Sequence, residues 1–576
     1  MVSQGGGPLY LGFDLSTQQL KIVAISSTLQ LQWEEAVTFD NDLAHYNVTK
    51  GVYSNTAGEN EVYSPVAMWV EALDVILSRM KEKSFDFARV RAVCGAAQQH
   101  SSVFWSEEAT LALGNCSSEK RLVDQLAPRA FAYPWSPNWQ DHSTQVECSI
   151  FEEGVAGKDK LAKLSGSSAH HRFTGPQILR LKNKLPEVYH ATKRITLASS
   201  FLASVLLGKF APFDISDVCG MNLWNIQDLN WDERLLELAA GGREGVDELR
   251  VKLGTVEIDG AKHLGPISNY FVKRYGFPAD CSIIPFTGDN PATILALPLR
   301  PLDVIVSLGT STTLLMSTPT YHPSPAYHLF DHPATPGLYM FMLCYCNGAL
   351  AREYIRDKIH SLHNQSEIDQ DLWNLFNIVA RDTPPLGKKL PSDPAKIAFY
   401  FPLPEIVPNV QKGTWRFTFD GKFLNDNTAN WTLPNDDARA IVESQALSMR
   451  IRAAPLLTPC PINNYKTQPR RVYLVGGGSR NPVICDIIGQ VLGCSEGIYQ
   501  LDVGSNACAV GAAYKASWAI ERRPQQKFED FVGERWDERK MVKRIGDACE
   551  RVWEVYGEIL GAFSEAESRI VAETHR

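Results

Sequence analysis

Two short segments, far apart in the chain, carry the same arrangement of polar groups: Leu9-Tyr-Leu-Gly-Phe-Asp-Leu-Ser-Thr-Gln-Gln-Leu-Lys-Ile-Val-Ala24 and Asp303-Val-Ile-Val-Ser-Leu-Gly-Thr-Ser-Thr-Thr-Leu-Leu-Met316. Each sets a small hydroxyl cluster at the tip of a hairpin whose flanks are apolar enough to be core strands. In the first the cluster is Ser16 and Thr17, followed by Gln18; in the second it is Thr310, Ser311 and Thr312, preceded by Gly309. Backbone N–H groups in such a turn converge on an anion, and the hydroxyls add donors. Gly12 and Gly309 let an oxygen come close. One Ser/Thr turn between strands usually binds nothing. Two of them, in the two halves of a long chain, point to the phosphates of a nucleotide held between related domains.

Three further segments deliver polar side chains from apolar runs. Val90-Arg-Ala-Val-Cys-Gly-Ala-Ala97 reads as a buried strand ending in Gln98-Gln99-His100-Ser101-Ser102, which puts Gln99 and His100 where open α/β sheets bind ligands. Ile283-Ile-Pro-Phe-Thr-Gly-Asp289-Asn290 reads as a strand ending in an acid and an amide. By itself Asp289 fits a helix N-cap as well as a catalytic acid. Arg471-Val-Tyr-Leu-Val-Gly476-Gly477-Gly478-Ser479-Arg480-Asn481-Pro482 combines a strand, three glycines and a helix start, a layout in which backbone can lie against a flat base or a phosphate. It is not the GxGxxG of dinucleotide folds.

The elements that must position these groups are those of a large soluble α/β chain. At 576 residues it exceeds a single core, and two domains are expected, 1–299 and 300–576. With 44% hydrophobic and 21% charged residues the composition is globular. The net charge is −8 and no basic block appears, so neither nucleic acid nor an anionic membrane is an expected partner. No run of eighteen apolar residues and no signal-peptide pattern is seen, which predicts a cytoplasmic location. The 12 cysteines are scattered without a CxxC pair, as reduced thiols are. A helix is expected from an N-cap at Ser64, with Pro65 in its first turn, through Met80. The stretch from 360 to 435 shows little periodicity.

Taken in order, the first hairpin, Gln99-His100, Thr287-Gly-Asp289-Asn290, the second hairpin and Gly476-Gly-Gly-Ser-Arg-Asn481 resemble the FGGY family of carbohydrate kinases over nearly the whole length. Within that family the chain is most similar to the eukaryotic branch acting on D-xylulose. The resemblance implies two domains of the actin-like, ribonuclease H-like ATPase superfold with an interdomain cleft, the first binding sugar and the second ATP. It implies transfer of phosphate from ATP to D-xylulose, feeding the pentose phosphate pathway, by a monomer or homodimer. Gln99, His100, Arg172 (in Arg172-Phe-Thr-Gly), Asp289 and Asn290 fall on sugar-contacting positions. Gly476, Gly477 and Asn481 fall on the adenosine loop, and Trp373 on an aromatic position near the adenine. Related glycerol kinases carry an Arg-Glu pair after the strand that here ends in Gln99-His100. Thr287 stands where many bacterial relatives have a second glycine.

Phosphoryl transfer needs an in-line hydroxyl, neutralised phosphate charge and a proton acceptor. Asp289 is the expected general base. Asp14, inside a phosphate-gripping hairpin, would repel ATP unless a cation stood between them, so it is the expected outer-shell ligand of Mg²⁺, through water. Lys21 can reach the β- and γ-phosphates. Ser16, Thr17, Gln18, Gly309, Thr310, Ser311 and Thr312 would position phosphates. The alternatives are a kinase for ribulose, gluconate or glycerol, or an inactive sugar sensor on an ATPase fold.

Overall fold

A computed structural model describes residues 6–55, 60–362, 372–426, 428–457, 468–501, 506–547 and 549–574. The chain forms two compact units. One comprises the described residues of Met1–Leu299, Pro323–Met340 and Ser505–Trp536; the other those of Arg300–His322, Phe341–Gly504 and Asp537–Arg576. Each is therefore built from three separate stretches of sequence.

The first unit is centred on a mixed sheet with the strand order Gly265–Pro266, Ser282–Ile283, Val90–Ala97, Leu9–Leu15, Gln19–Ser26, Leu31–Thr38. Leu9–Leu15 is buried at every residue, as a central strand must be. It pairs antiparallel with Gln19–Ser26, closing the first hairpin, and parallel with Val90–Ala97. Thr287–Gly288 pairs parallel with the end of Val90–Ala97, at Ala96 and Ala97. Three neighbouring strands thus deliver Asp14, Gln98 onward and Asp289 from the same edge of the sheet.

One face of the sheet is covered by the helix Val66–Glu82, whose Trp69, Leu73, Ile76 and Leu77 join Phe13, Leu15 and Ile22 in the core. This helix begins one residue later than the sequence suggests, at Val66 with Pro65 in the N-cap position. Ser64 and Pro65 lie in the strand Glu61–Pro65, and the Ser64 hydroxyl donates to Gly51 O at 3.3 Å instead of capping the helix. The helix Ala507–Glu521 packs against Leu9–Leu15 and Val90–Ala97. Its backbone passes so close that a Cβ on Gly12 would lie 1.8 Å from Ala509 O. The missing side chain of Gly12 therefore admits a helix; it does not open space for a phosphate oxygen, as the sequence suggests.

The second unit repeats the plan with the strand order Tyr339–Tyr345 (from Phe341 onward in this unit), Thr312–Thr318, Val304–Leu308, Arg471–Val475, Gly497–Leu501, Val542–Gly546. Val304–Leu308 and Thr312–Thr318 close the second hairpin, and Arg471–Val475 runs parallel to Val304–Leu308. The helix Asn435–Ala453 is buried on most sides and carries an ion pair, Arg439 to Glu443 at 2.7 Å, with the Tyr556 hydroxyl donating to the same carboxylate at 2.5 Å. The stretch of low periodicity contains the helix Leu372–Asp382 and a small sheet of Ala395–Phe401, Gly413–Phe419 and Leu424–Asn425; 363–371 and 427 lie outside the described residues. Among the described residues, no helix is long and apolar enough to cross a membrane.

Candidate active site

In the first unit the residues singled out from sequence gather at the carboxyl ends of the central strands. Asp14 and Lys21 stand opposite each other across the first hairpin. Both are buried, at 3% and 6% exposure, so Lys21 is no solvated surface lysine. Lys21 Nζ reaches Asn506 Oδ1 at 3.4 Å. Asp14 Oδ1 has no hydrogen-bond partner among the described residues, and burial raises the carboxyl's pKa against the opposing pull of a Ser16 hydrogen bond and the Lys21 charge. An unsatisfied buried carboxylate oxygen is a strong acceptor awaiting a donor or a cation. The turn itself is closed by Ser16 N donating to Gln19 O at 3.0 Å, and Gln18 O accepts from Phe39 N at 2.9 Å. The Thr17 hydroxyl accepts from Trp139 Nε1 at 2.8 Å and donates to Gln98 Oε1 at 3.3 Å. Trp139 is 44% exposed, an aromatic face beside the turn that the sequence reading passed over.

Asp289 opens the helix Asp289–Ile294 at its first residue, with Gly288 at the N-cap. Its Oδ1 accepts from Asn290 N at 2.8 Å, and Asn290 Nδ2 donates to Gln99 Oε1 at 3.0 Å, which ties the acid to the end of the neighbouring strand. Burial, then the negative charge of Asp14, pushes the Asp289 carboxyl up to about 7. That puts a proton acceptor near neutral pH, where general-base catalysis is most effective. Beneath it, Thr287 donates its hydroxyl to Asp214 Oδ1 at 2.6 Å, and Asp214 Oδ2 pairs with Lys515 Nζ at 2.8 Å, both of these charged side chains having no exposed surface. Asp217, bonded to the Ser199 hydroxyl at 2.5 Å, is raised by burial to about 7.

His100 sits at φ +71°, a left-handed conformation uncommon for a residue with a Cβ and found at sites whose surroundings enforce it. Its Nδ1 lies 3.0 Å from Gly220 O. A carbonyl only accepts, so Nδ1 carries the proton, and Nε2 is left with a bare lone pair. The ring stacks on Phe173 at 4.5 Å between centroids, and burial, then the Arg172 charge, holds it well below the usual histidine range. His100 is thus a neutral acceptor, suited to a sugar hydroxyl. Phe173 caps the helix Thr174–Lys184, placing Arg172 just before it, and Arg172 Nη2 meets His328 Nε2 at 3.2 Å.

In the second unit, Thr310 and Ser311 are exposed at the hairpin tip, and Thr312 is buried. Gly309 O and Thr310 O accept from Ala349 N at 2.9 Å and Gly348 N at 3.0 Å, so the turn is braced against the start of the helix Ala349–Leu362. Gly476 has φ +85°, which favours glycine at the point where the strand Arg471–Val475 turns away. Gly477 has open space around the position of a Cβ. Asn481 caps the helix Pro482–Leu492: its Oδ1 accepts from Val483 N and Ile484 N at 3.0 and 3.2 Å, while Nδ2 donates to Asn377 Oδ1 at 2.8 Å. Asn377 belongs to the same helix as Trp373, so this bond links the glycine loop to the aromatic residue. Arg356 covers one face of the Trp373 ring at 4.7 Å.

Residues 137–296 match the N-terminal domain, and residues 304–520 the C-terminal domain, of the FGGY family of carbohydrate kinases. The chain is 54% identical over 576 residues to a protein of Aspergillus fumigatus named "Probable D-xylulose kinase A", covering 100% of this chain and 99% of that one. Among solved structures, a xylulose kinase from Rhodospirillum rubrum superposes with a TM-score of 0.73 at 15% identity over 99% of this chain and 100% of that one. A gluconate kinase from Lactobacillus acidophilus gives the same TM-score and identity over 99% of each chain. Both share the fold. From the match to both domain models and the full-length identity, the chain belongs to the FGGY family of carbohydrate kinases.

Proposed function

We propose that this carbohydrate kinase transfers the γ-phosphoryl group of ATP to the C5 hydroxyl of D-xylulose, giving D-xylulose 5-phosphate and ADP. The substrate follows from the full-length identity to the Aspergillus protein. The single observation that carries the chemistry is the placement of the Asp289 carboxyl at the end of the strand Thr287–Gly288, held by Asn290 N and tied through Asn290 to Gln99 at the end of the adjoining strand.

Gln99, His100, Arg172 and Asn290 hold the sugar: His100 Nε2 accepts from one hydroxyl, and Arg172 donates to another oxygen. Asp289 accepts a hydrogen bond from the C5 hydroxyl and takes its proton as the oxygen attacks phosphorus in line with the leaving ADP oxygen. Ser16, Thr17, Gln18 and Lys21 in the first hairpin and Gly309, Thr310, Ser311 and Thr312 in the second hold phosphates. Gly476, Gly477, Asn481 and Trp373 hold the adenosine. Most of the acceleration then comes from orientation and preorganised charge.

Asp14 fits a role toward Mg²⁺, because its Oδ1 is a buried oxygen with no donor among the described residues. Among the described residues no three His, Cys, Asp or Glu side chains gather to hold a metal, so the ion would be held chiefly by the nucleotide, as Mg²⁺ commonly is, with Asp14 reached through water. Bound there, Mg²⁺ would neutralise phosphate charge. The enzyme is read as cytoplasmic, in keeping with scattered cysteines that form no CxxC pair.

A coupled ADP assay over D-xylulose, D-ribulose, gluconate and glycerol tests the proposal. The expected result is turnover with D-xylulose and far weaker turnover with the others. Preference for another of the four reassigns the substrate, and ADP release independent of any sugar overturns the kinase reading.

A further inference from the structure

Arg172 leans on a residue distant in sequence. His328 begins the strand His328–Asp331 in the first unit's central stretch of sequence, Pro323–Met340. This stretch is fixed beside Arg172 by Leu329 N donating to Gly166 O at 2.9 Å and by the Ser168 hydroxyl donating to Pro325 O at 3.3 Å. The His328 ring is 5% exposed and lies 4.7 Å from His170 and 5.6 Å from Phe173, centroid to centroid.

The hydrogen bonds of His328 determine its tautomer. A guanidinium has only donors, so where Arg172 Nη2 meets His328 Nε2 at 3.2 Å, Nε2 must be the unprotonated nitrogen. The proton is then on Nδ1, which donates to the Ser167 hydroxyl oxygen at 2.8 Å. Ser167 is buried and held in turn, its own carbonyl accepting from the Ser165 hydroxyl at 3.2 Å. The result is a directed chain, Arg172 to His328 to Ser167, in which a neutral imidazole presents one lone pair to a flexible cationic side chain. An arginine has much rotamer entropy to lose on binding, and a fixed acceptor removes part of that loss beforehand.

The geometry points to His328 as a positioning residue for sugar binding: it aims the Arg172 guanidinium at the substrate without touching the substrate itself. This rests on the reading of Arg172 as a sugar contact. It also separates the two ring nitrogens, since only the Nε2 acceptor matters to Arg172 and Nδ1 serves to fix the tautomer.

The test uses the full-length enzyme with variants that replace one nitrogen at a time. In H328Q the amide oxygen falls near the Nε2 position and keeps an acceptor for Arg172. H328N keeps a group only near Nδ1, and H328L keeps neither. Expected are a rise of about tenfold or more in KM for D-xylulose in H328L and H328N, and recovery to within about threefold in H328Q, with kcat and KM for ATP within about twofold throughout, the scale of one lost hydrogen bond to a charged group. In an R172A background H328L should add little further, because the residue acts through the arginine. Equal KM values in H328N and H328Q, or a full additional loss from H328L in R172A, overturn the assignment; the first comparison stands even if H328L fails to fold. An R172A enzyme with unchanged KM for D-xylulose would overturn the underlying reading of Arg172, an outcome distinct from failure of His328 alone.

Discussion

The buried pair Lys515–Asp214 sets a sharp expectation for stability. Lys515 Nζ and Asp214 Oδ2 are 2.8 Å apart with no exposed side-chain surface, and the other oxygen of Asp214 is occupied by the Thr287 hydroxyl at 2.6 Å. Lys515→Met removes the cation and leaves a carboxyl in the interior. Its charge is then unpaired with no water to solvate it, and breaking buried pairs from one side costs about 3–5 kcal/mol. Replacing both partners removes the stranded charge, so the double variant should recover about 2–3 kcal/mol of the summed single losses. Two units need not unfold in one step. The assay is therefore hydrogen exchange of the first unit's central strands for wild type, K515M, D214N and the double variant. A K515M loss that is absent, or strictly additive losses in the double variant, would refute the argument from a stranded buried carboxylate.

Asp289→Asn should lower kcat by about 10²–10⁴ while D-xylulose and ATP bind within a few-fold of wild type, as measured by steady-state kinetics and calorimetry; near-normal turnover in the folded variant removes Asp289 as the base. His100→Ala and Arg172→Ala should each weaken D-xylulose binding by about 1–3 kcal/mol, and unchanged KM in both would move the sugar site elsewhere. Gly12→Ala drives a Cβ to 1.8 Å from Ala509 O. It should cost the upper part of about 1–3 kcal/mol, read as a lowered thermal midpoint, and an unchanged midpoint would contradict the packing described. Asn481→Ala should lose about 0.5–2 kcal/mol of helix capping; loss of nucleotide affinity beyond that scale would mark a direct contact with adenosine.

What the sequence displayed was local chemistry at the ends of apolar runs. Both hairpins, the Gln99-His100 terminus and the Thr287–Asn290 turn are specified by residues adjacent in the chain, so alternation and turn composition sufficed to find them. Ser64-Pro65 misled because a serine before a proline suits a helix start as well as the last residues of a strand, and pairing with Trp135–Pro137 decided for the strand. His328 and Lys515 carried no local signal. Their partners lie 156 and 301 positions away, and only the docking of late stretches onto the first unit brings them together. Gly12 shows the same effect: its spacing suits an anion, but a helix from the far end of the chain fills the space.

That helix also imposes an order in time. The strand Leu9–Leu15 is synthesised long before Ala507–Glu521, the helix that covers it. The second unit likewise joins Arg300–His322 to Phe341–Gly504 and to a later stretch that starts at Asp537. Nascent chains usually fold domain by domain as they emerge. This one carries an apolar sheet face without its covering helix until Ala507–Glu521 has been made, and a premature stop before Ala507 leaves that face open to proteolysis.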